Sequence, residues 1–242
     1  NSARLINTDF KVGILGGGQL GKMLAQAASS WDLPIYALDR DQTFPAAPVV
    51  RKLHEGNFKD YDDVLAFGRQ MDVLTIEIEH VNTDALLELE NEGVVIHPRP
   101  QALITIKDKG LQKQFYAERD IPTSAFRLWE SKEALLAAIA DGTLSYPFVQ
   151  KSRTAGYDGK GVAVIKSAED NEKILDGPCL TEDLVDIDKE LAVVVARNPS
   201  GEIKAFPTVE MAFNPEANLV EFLLCPAQVK PEINRQAEEL AL

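Results

Sequence analysis

Three consecutive glycines, Gly16-Gly17-Gly18, separate the apolar run Val12-Gly13-Ile14-Leu15 from a segment whose Leu20, Leu24, Ala27 and Ala28 keep helical spacing. A chain that changes period across such a break reads as strand, tight turn and helix. A helix that follows a strand carries the chain back along the sheet, so the next strand runs parallel to the first. The pattern continues with a strand at 34–39, a helix near 60–70, a strand at 72–78, a helix at 83–91 and a short strand at 94–97. This alternation predicts an α/β domain whose parallel sheet is covered on both faces. It is expected to span residues 1–100 and to end where Pro98 and Pro100 interrupt the pattern.

Residues 101–242 have a different rhythm. Helices are predicted at 107–120 and at 131–140, the latter with Ser131 as N-cap. Strands follow at 147–151, 161–166, 179–184, 191–197, 203–208 and 219–225, with Asn198-Pro199-Ser200-Gly201 as a hairpin turn. A last amphipathic helix opens after Pro231, with Ile233, Ala237 and Leu240 on one side. The second half is therefore expected to be an α+β domain that is incomplete at its C-terminal end. Residues 1–10 carry no periodicity and read as a loose leader.

The formal net charge of -13 disfavours nucleic acid and anionic membranes as partners, since both require a cationic surface. No apolar stretch approaches the roughly 20 residues that span a bilayer, and no export signal opens the chain. Cys179 and Cys225 stand far apart outside any paired metal-ligand motif, which suits a reducing compartment and roles as core fillers. A cytoplasmic location is expected. Trp31 and Trp129 read as core or boundary residues.

Gly16-Gly17-Gly18-Gln19-Leu20-Gly21 satisfies G-x-G-x-x-G between a strand and a helix, where bare amides and the helix dipole favour a phosphate. Asp39 ends the second strand, about where a dinucleotide fold puts its ribose-binding acid. On these residues alone, an NAD-dependent oxidoreductase is one reading. Glycines that only let helix and strand approach closely are another. A second glycine-rich segment, Thr154 to Gly161, lies between two strands, with Lys151, Arg153 and Lys160 adding positive charge. It reads as a flap over nucleotide phosphates, with a plain surface hairpin as the alternative, and its spacing does not match a helix-borne phosphate loop. Glu182 to Val185 and Glu190 alternate acid and apolar residues, so a carboxylate there could accept from a ribose hydroxyl. His80 follows Glu79 at a strand end. His54 and His97 show no metal-ligand spacing.

Four segments together carry a resemblance. Val12 to Leu24 with Gly-Gly-Gly-Gln-Leu-Gly, Asp72 to Val81 with Glu77-Ile78-Glu79-His80, Asp108-Lys109 with Gln112-Lys113, and Gly156-Tyr157-Asp158-Gly159-Lys160-Gly161 closely resemble, in order and spacing, the N5-carboxyaminoimidazole ribonucleotide synthetases of the ATP-grasp superfamily. The resemblance implies a Rossmann-like pre-ATP-grasp domain followed by an incomplete ATP-grasp domain. It implies a carbon–nitrogen ligase of purine biosynthesis that uses ATP and Mg²⁺ to join bicarbonate to aminoimidazole ribonucleotide through carboxyphosphate, and a homodimer. Lys109 and Lys151 would lie on the ATP phosphates, and Glu182, Val185 and Glu190 would hold adenine and ribose. Gln19, Leu20 and Glu77 would line the ribonucleotide site, with Tyr157, Asp158 and Lys160 closing over it; Asp158 and Lys151 would be catalytic. Ala155 stands where many members have glycine. The family's carboxylate ligands for Mg²⁺ and its basic C-terminal residues are expected beyond Leu242, so the chain is expected to be truncated and inactive alone. Other ATP-grasp ligases or carboxylases, such as glycinamide ribonucleotide enzymes or biotin carboxylases, share the flap and lysines. A noncatalytic nucleotide-binding fragment is the remaining reading.

Overall fold

A computed structural model describes residues 9–154, 156, 161–214 and 219–242. The chain divides into two compact units, Asn1–Lys107 and Asp108–Leu242.

The first unit runs β1 (Val12–Leu15), α1 (Gln19–Ser29), β2 (Ile35–Asp39), β3 (Lys52–Glu55), α2 (Tyr61–Gly68), β4 (Val73–Ile76), α3 (Thr83–Asn91), β5 (Val95–His97) and α4 (Pro100–Lys107). Its sheet is wholly parallel in the order β3-β2-β1-β4-β5. Strand order therefore reverses between β1 and β4, and open parallel sheets bind ligands beyond the carboxyl ends of strands at such a point. Period-two alternation sends Leu15 and Ile14 to opposite faces. Leu15 joins Leu38, Phe67, Leu74, Leu86 and Leu89 in the core beneath α2 and α3, while Ile14 packs with Ala25 and Ile35 under α1. Asp60 and Asn82 cap α2 and α3 by accepting from backbone amides of the first turn.

Several sequence expectations shift here for physical reasons. Pro100 starts α4, because proline at a first helical position lacks only an amide that would be unpaired anyway. Leu103 is buried in the first unit's core and Lys107 Nζ donates to Val81 O at 2.9 Å, so the first unit runs on to Lys107. Helix α1 buries its small residues, Gly21 and Ala25, and leaves Leu20, Met23 and Leu24 exposed. Trp31, read as core or boundary, is 84% exposed.

The second unit contains α5 (Lys109–Glu118), β6 (Phe126–Trp129), α6 (Lys132–Ala140), β7 (Phe148–Ser152), β8 (Val162–Ile165) and β9 (Cys179–Asp183). These are followed by β10 (Glu190–Ala192), β11 (Val195–Arg197), β12 (Ile203–Ala205), β13 (Val209–Asn214), β14 (Leu219–Leu224) and α7 (Pro231–Ala241). An antiparallel sheet in the order β6-β9-β7-β8 packs Phe148, Ile165 and Cys179 against Leu135 of α6. Ser131 caps α6 by accepting from Ala134 N. Gln150 is fully buried yet satisfied, donating to Leu175 O and accepting from Leu175 N. Trp129 is half-buried and donates to Thr181 Oγ1 at 2.9 Å.

The strand expected at 191–197 is two strands. β10 pairs with β13, whereas β11 turns away to pair with β12, and Phe206 N donates to Val194 O at 2.8 Å where they part. β13, not foreseen, lies between β10 and β14. Cys225, expected in the core, is exposed; burial pushes the Cys179 thiol above its ordinary range. Among the described residues no helix is long and apolar enough to cross a membrane.

Candidate functional site

In the first unit the glycine turn follows β1, and Glu77 follows the neighbouring β4. Gly16 has φ of +105°, a conformation that favours glycine. Gly16 N donates to Leu38 O at 3.0 Å, and Gly17 N donates to Asp39 Oδ2 at 2.6 Å. Asp39 Oδ1 accepts from Arg40 N at 2.7 Å, and the residue is 3% exposed. Both oxygens of Asp39 are thus engaged by the protein's own backbone. The oxidoreductase reading would have Asp39 accept from a ribose; here it braces the turn.

Glu77 N donates to Leu15 O at 2.9 Å, which holds residue 77 beside the turn. A Cβ on Gly16 would fall 2.5 Å from Glu77 Oε2, and one on Gly18 would fall 2.5 Å from Glu77 Oε1. The carboxylate therefore lies directly on the turn that a dinucleotide pyrophosphate would need, and two anions at that spacing repel. What remains is an acceptor set for hydroxyl or amine groups, next to the exposed Gln19 and Leu20 that open α1. Gly21 brings α1 close, since a Cβ there would stand 2.8 Å from Gly16 O. His80 Nδ1 lies 3.3 Å from Glu79 Oε1. A cavity of about 1010 Å³ opens at the opposite, amino ends of the strands, beside Lys11, Pro34, Arg51 and Asp72; position alone separates it from this chemistry.

In the second unit Lys151 projects from β7 and Glu182 from the adjacent β9. Lys151 Nζ is 3.0 Å from each oxygen of Glu182. Lys113 Nζ, from α5, is 3.3 Å from Glu182 Oε1, and Ser124 Oγ donates to Oε2 at 2.8 Å. Lys113 also donates to Thr123 Oγ1 and Ser124 Oγ. Burial acts to raise the Glu182 carboxyl, but the hydrogen bonds from Lys151 and Ser124 and the charges of both lysines outweigh it and hold the group below its ordinary range.

The structure thus brings Lys151 and Glu182 together and adds Lys113, which in sequence stood only within a matching segment and had no assigned role, and Ser124, which was not singled out. For Lys113 a signal existed, since it stands one helical turn after Lys109; Ser124 offered none. Lys109 approaches through its backbone, its N donating to Arg153 O at 2.9 Å. Glu190 opens β10 half-buried and Val185 is exposed, and no hydrogen bond or ion pair among the described residues ties either to the cluster. Tyr157, Asp158 and Lys160 lie outside the described residues, as does Ala155. The cluster suits a polyanion, with cations converging from two elements around one organising carboxylate. No group of three or more His, Cys, Asp or Glu among the described residues could hold a metal ion.

Comparison with known proteins matches residues 10–107 to the ribonucleotide synthetase preATP-grasp domain and residues 114–242 to the ATP-grasp domain. The phosphoribosylaminoimidazole carboxylase of Candida glabrata is 36% identical over 239 residues, covering 95% of this chain and 41% of that protein. The N5-carboxyaminoimidazole ribonucleotide synthase of Synechococcus elongatus is 32% identical, over 95% of this chain and 58% of that protein. Among solved structures, the N5-carboxyaminoimidazole ribonucleotide synthetase of Thermotoga maritima aligns with a TM-score of 0.84 at 34% identity, over 96% of this chain and 59% of that one. The Aspergillus clavatus enzyme, in complex with ADP and 5-aminoimidazole ribonucleotide, aligns with a TM-score of 0.86 at 32% identity, over 97% and 62%. The chain therefore spans about two fifths to three fifths of the length of these relatives.

Proposed function

The chain belongs to the ATP-grasp family, among the N5-carboxyaminoimidazole ribonucleotide synthetases, and from that premise we propose that it serves ATP-dependent carboxylation of aminoimidazole ribonucleotide by bicarbonate. The observation that carries this reading over an oxidoreductase is the Glu77 carboxylate seated on the glycine turn. It disfavours a pyrophosphate and favours a neutral ribose or amine.

In the proposed chemistry a bicarbonate oxygen attacks the γ-phosphorus of ATP, ADP leaves, and carboxyphosphate forms. Carboxyphosphate breaks to CO₂ and phosphate, and the substrate amine attacks the CO₂ carbon and sheds a proton. Lys151, with Lys109, offsets phosphate charge, and Glu182 holds the Lys151 ammonium oriented before nucleotide arrives. Gln19, Leu20 and Glu77 line the ribonucleotide side. Asp158 takes the amine proton, with Tyr157 and Lys160 beside it in sequence. Glu182, Val185 and Glu190 hold adenine and ribose once nucleotide is bound. Mg²⁺ would accompany the phosphates; the described residues supply no ligand set for it, and no step above depends on its position. A homodimer in the cytoplasm is the expected setting.

The test is ADP release by the full-length protein. It should require bicarbonate and rise on adding aminoimidazole ribonucleotide. ADP release indifferent to that ribonucleotide, or a fluorescence titration showing tight nicotinamide binding, would overturn the reading.

A further inference from the structure

Two ion pairs fasten α5 to the strands of the second unit. One is Lys113 with Glu182. The other, Asp108 with Arg153, closes immediately before residue 154, where the glycine-rich segment begins. Arg153 donates from Nε to Asp108 Oδ1 at 2.9 Å and from Nη2 to Oδ2 at 2.7 Å, a two-pronged fork whose side chains are only 22% and 19% exposed. Asp108 Oδ1 also accepts from Gly110 N at 2.8 Å and Leu111 N at 3.2 Å, so the same carboxylate caps α5. The main chains are joined as well, Lys109 N donating to Arg153 O. A Cβ on Gly110 would fall 2.8 Å from Arg153 Nε, so this position must lack a side chain for the guanidinium to cross the helix's first turn. Burial acts to raise the Asp108 carboxyl, but the bonds from Arg153 and the two amides hold it below its ordinary range.

A serine or asparagine would cap a helix as well as this aspartate does, so capping does not account for a half-buried arginine fork. The fork's distinctive effect is to register two short segments. Lys151 lies two residues before Arg153, and Lys109 directly follows Asp108. We infer that Arg153 and Asp108 are a positioning pair that fixes the spacing of Lys109 and Lys151 and thereby sets the affinity of the site for a triphosphate. The inference rests on the phosphate role proposed above for those two lysines. Cations stabilise phosphate charge most when fixed before the ligand arrives; the strand end is itself held by Arg153 N donating to Pro178 O at 3.2 Å, so the fork acts by seating the start of α5, and with it Lys109, against that strand end.

The test uses the full-length protein and calorimetric titration with a non-hydrolysable ATP analogue, and with AMP, which keeps base and ribose but carries one phosphate. Asp108→Asn retains a side-chain oxygen for the cap while removing the charge that grips Arg153; Arg153→Gln removes the fork from the other side. Each should weaken the analogue about fivefold to tenfold, with AMP little changed and the double variant no weaker than either single one. Should Arg153→Gln fail to fold, Asp108→Asn carries the same comparison. Equal loss for AMP and the analogue would mean general loosening and overturn the inference, as would unchanged analogue affinity in a folded variant. Lys151→Ala is the control for the underlying reading. It should weaken the analogue by at least about tenfold, and if it does not, the phosphate role itself fails rather than the positioning pair.

Discussion

The Glu77 carboxylate occupies the space that any side chain at Gly16 would need, a Cβ there falling 2.5 Å from Oε2. Gly16→Ala meets two penalties, this overlap and a φ of +105°. Together they should lower unfolding free energy by about 1–3 kcal/mol in urea titration. In a Glu77→Ala background the overlap is gone, so the same substitution should have a smaller effect. Equal effects in both backgrounds would show that Glu77 does not press on the turn.

Glu182 makes stability depend on pH in a defined sense. Its folded carboxyl lies below the ordinary value of 4.5, so the unfolded chain binds this proton more readily. The stabilisation is therefore whole above that value and is lost as pH falls through the folded one. Glu182→Gln should cost about 2–4 kcal/mol at neutral pH, less than for a fully buried pair because Lys151 is 30% exposed. Urea titrations should show the gap between wild type and variant narrowing below pH 4.5. A gap independent of pH would mean that shape, not charge, is at work.

Gly68 on α2 faces Leu89 on α3, and a Cβ at 68 would overlap both Leu89 methyl carbons. Leu89 is fully buried in the first unit's core and has little room to yield. Gly68→Ala should destabilise by about 1–3 kcal/mol and Leu89→Ala by about 2–5 kcal/mol. Combined, the added methyl partly fills the cavity, so thermal unfolding should find the double variant more stable than the sum of the two losses. Simple additivity would contradict the packing described.

Asp158→Asn separates a base from a loop-capping residue, because the amide keeps much of the shape and hydrogen bonding but cannot accept the amine proton. Carboxylation by the full-length protein should fall by about two orders of magnitude while nucleotide affinity stays near wild type. Near-normal turnover would remove Asp158 from the chemistry.

The strand, turn and helix at Val12 to Ser29 could be read in sequence because the signal is local, a change of period across three glycines. So could the Ser131 cap, whose partner is three residues away. The bracing role of Asp39 could not be read, since its position says nothing of Gly17, 22 residues earlier, whose amide donates to its carboxylate. The fork of Arg153 on Asp108 spans 45 residues and left no periodic trace. β13 and the break between β10 and β11 depend on which neighbour each strand selects, a choice made by non-local pairing. The spacing of α1 marked a helix but not its covered face, since its small residues face the sheet and its large ones do not.

The sharing of Glu182 between Lys113 and Lys151 also bears on which anions the site rejects. Two ammoniums around one carboxylate leave a single net positive charge, where bare lysines would leave twice that. Inorganic phosphate or sulfate must dislodge this internal competitor with one compact group, whereas a triphosphate brings several linked groups and can replace it prong by prong. On the phosphate role proposed for Lys151, the protein's own acid should act as a selectivity filter against small anions. Inorganic phosphate should accordingly compete with ATP more strongly in Glu182→Gln than in wild type, and an inhibition constant unchanged by that substitution would show that the carboxylate excludes nothing.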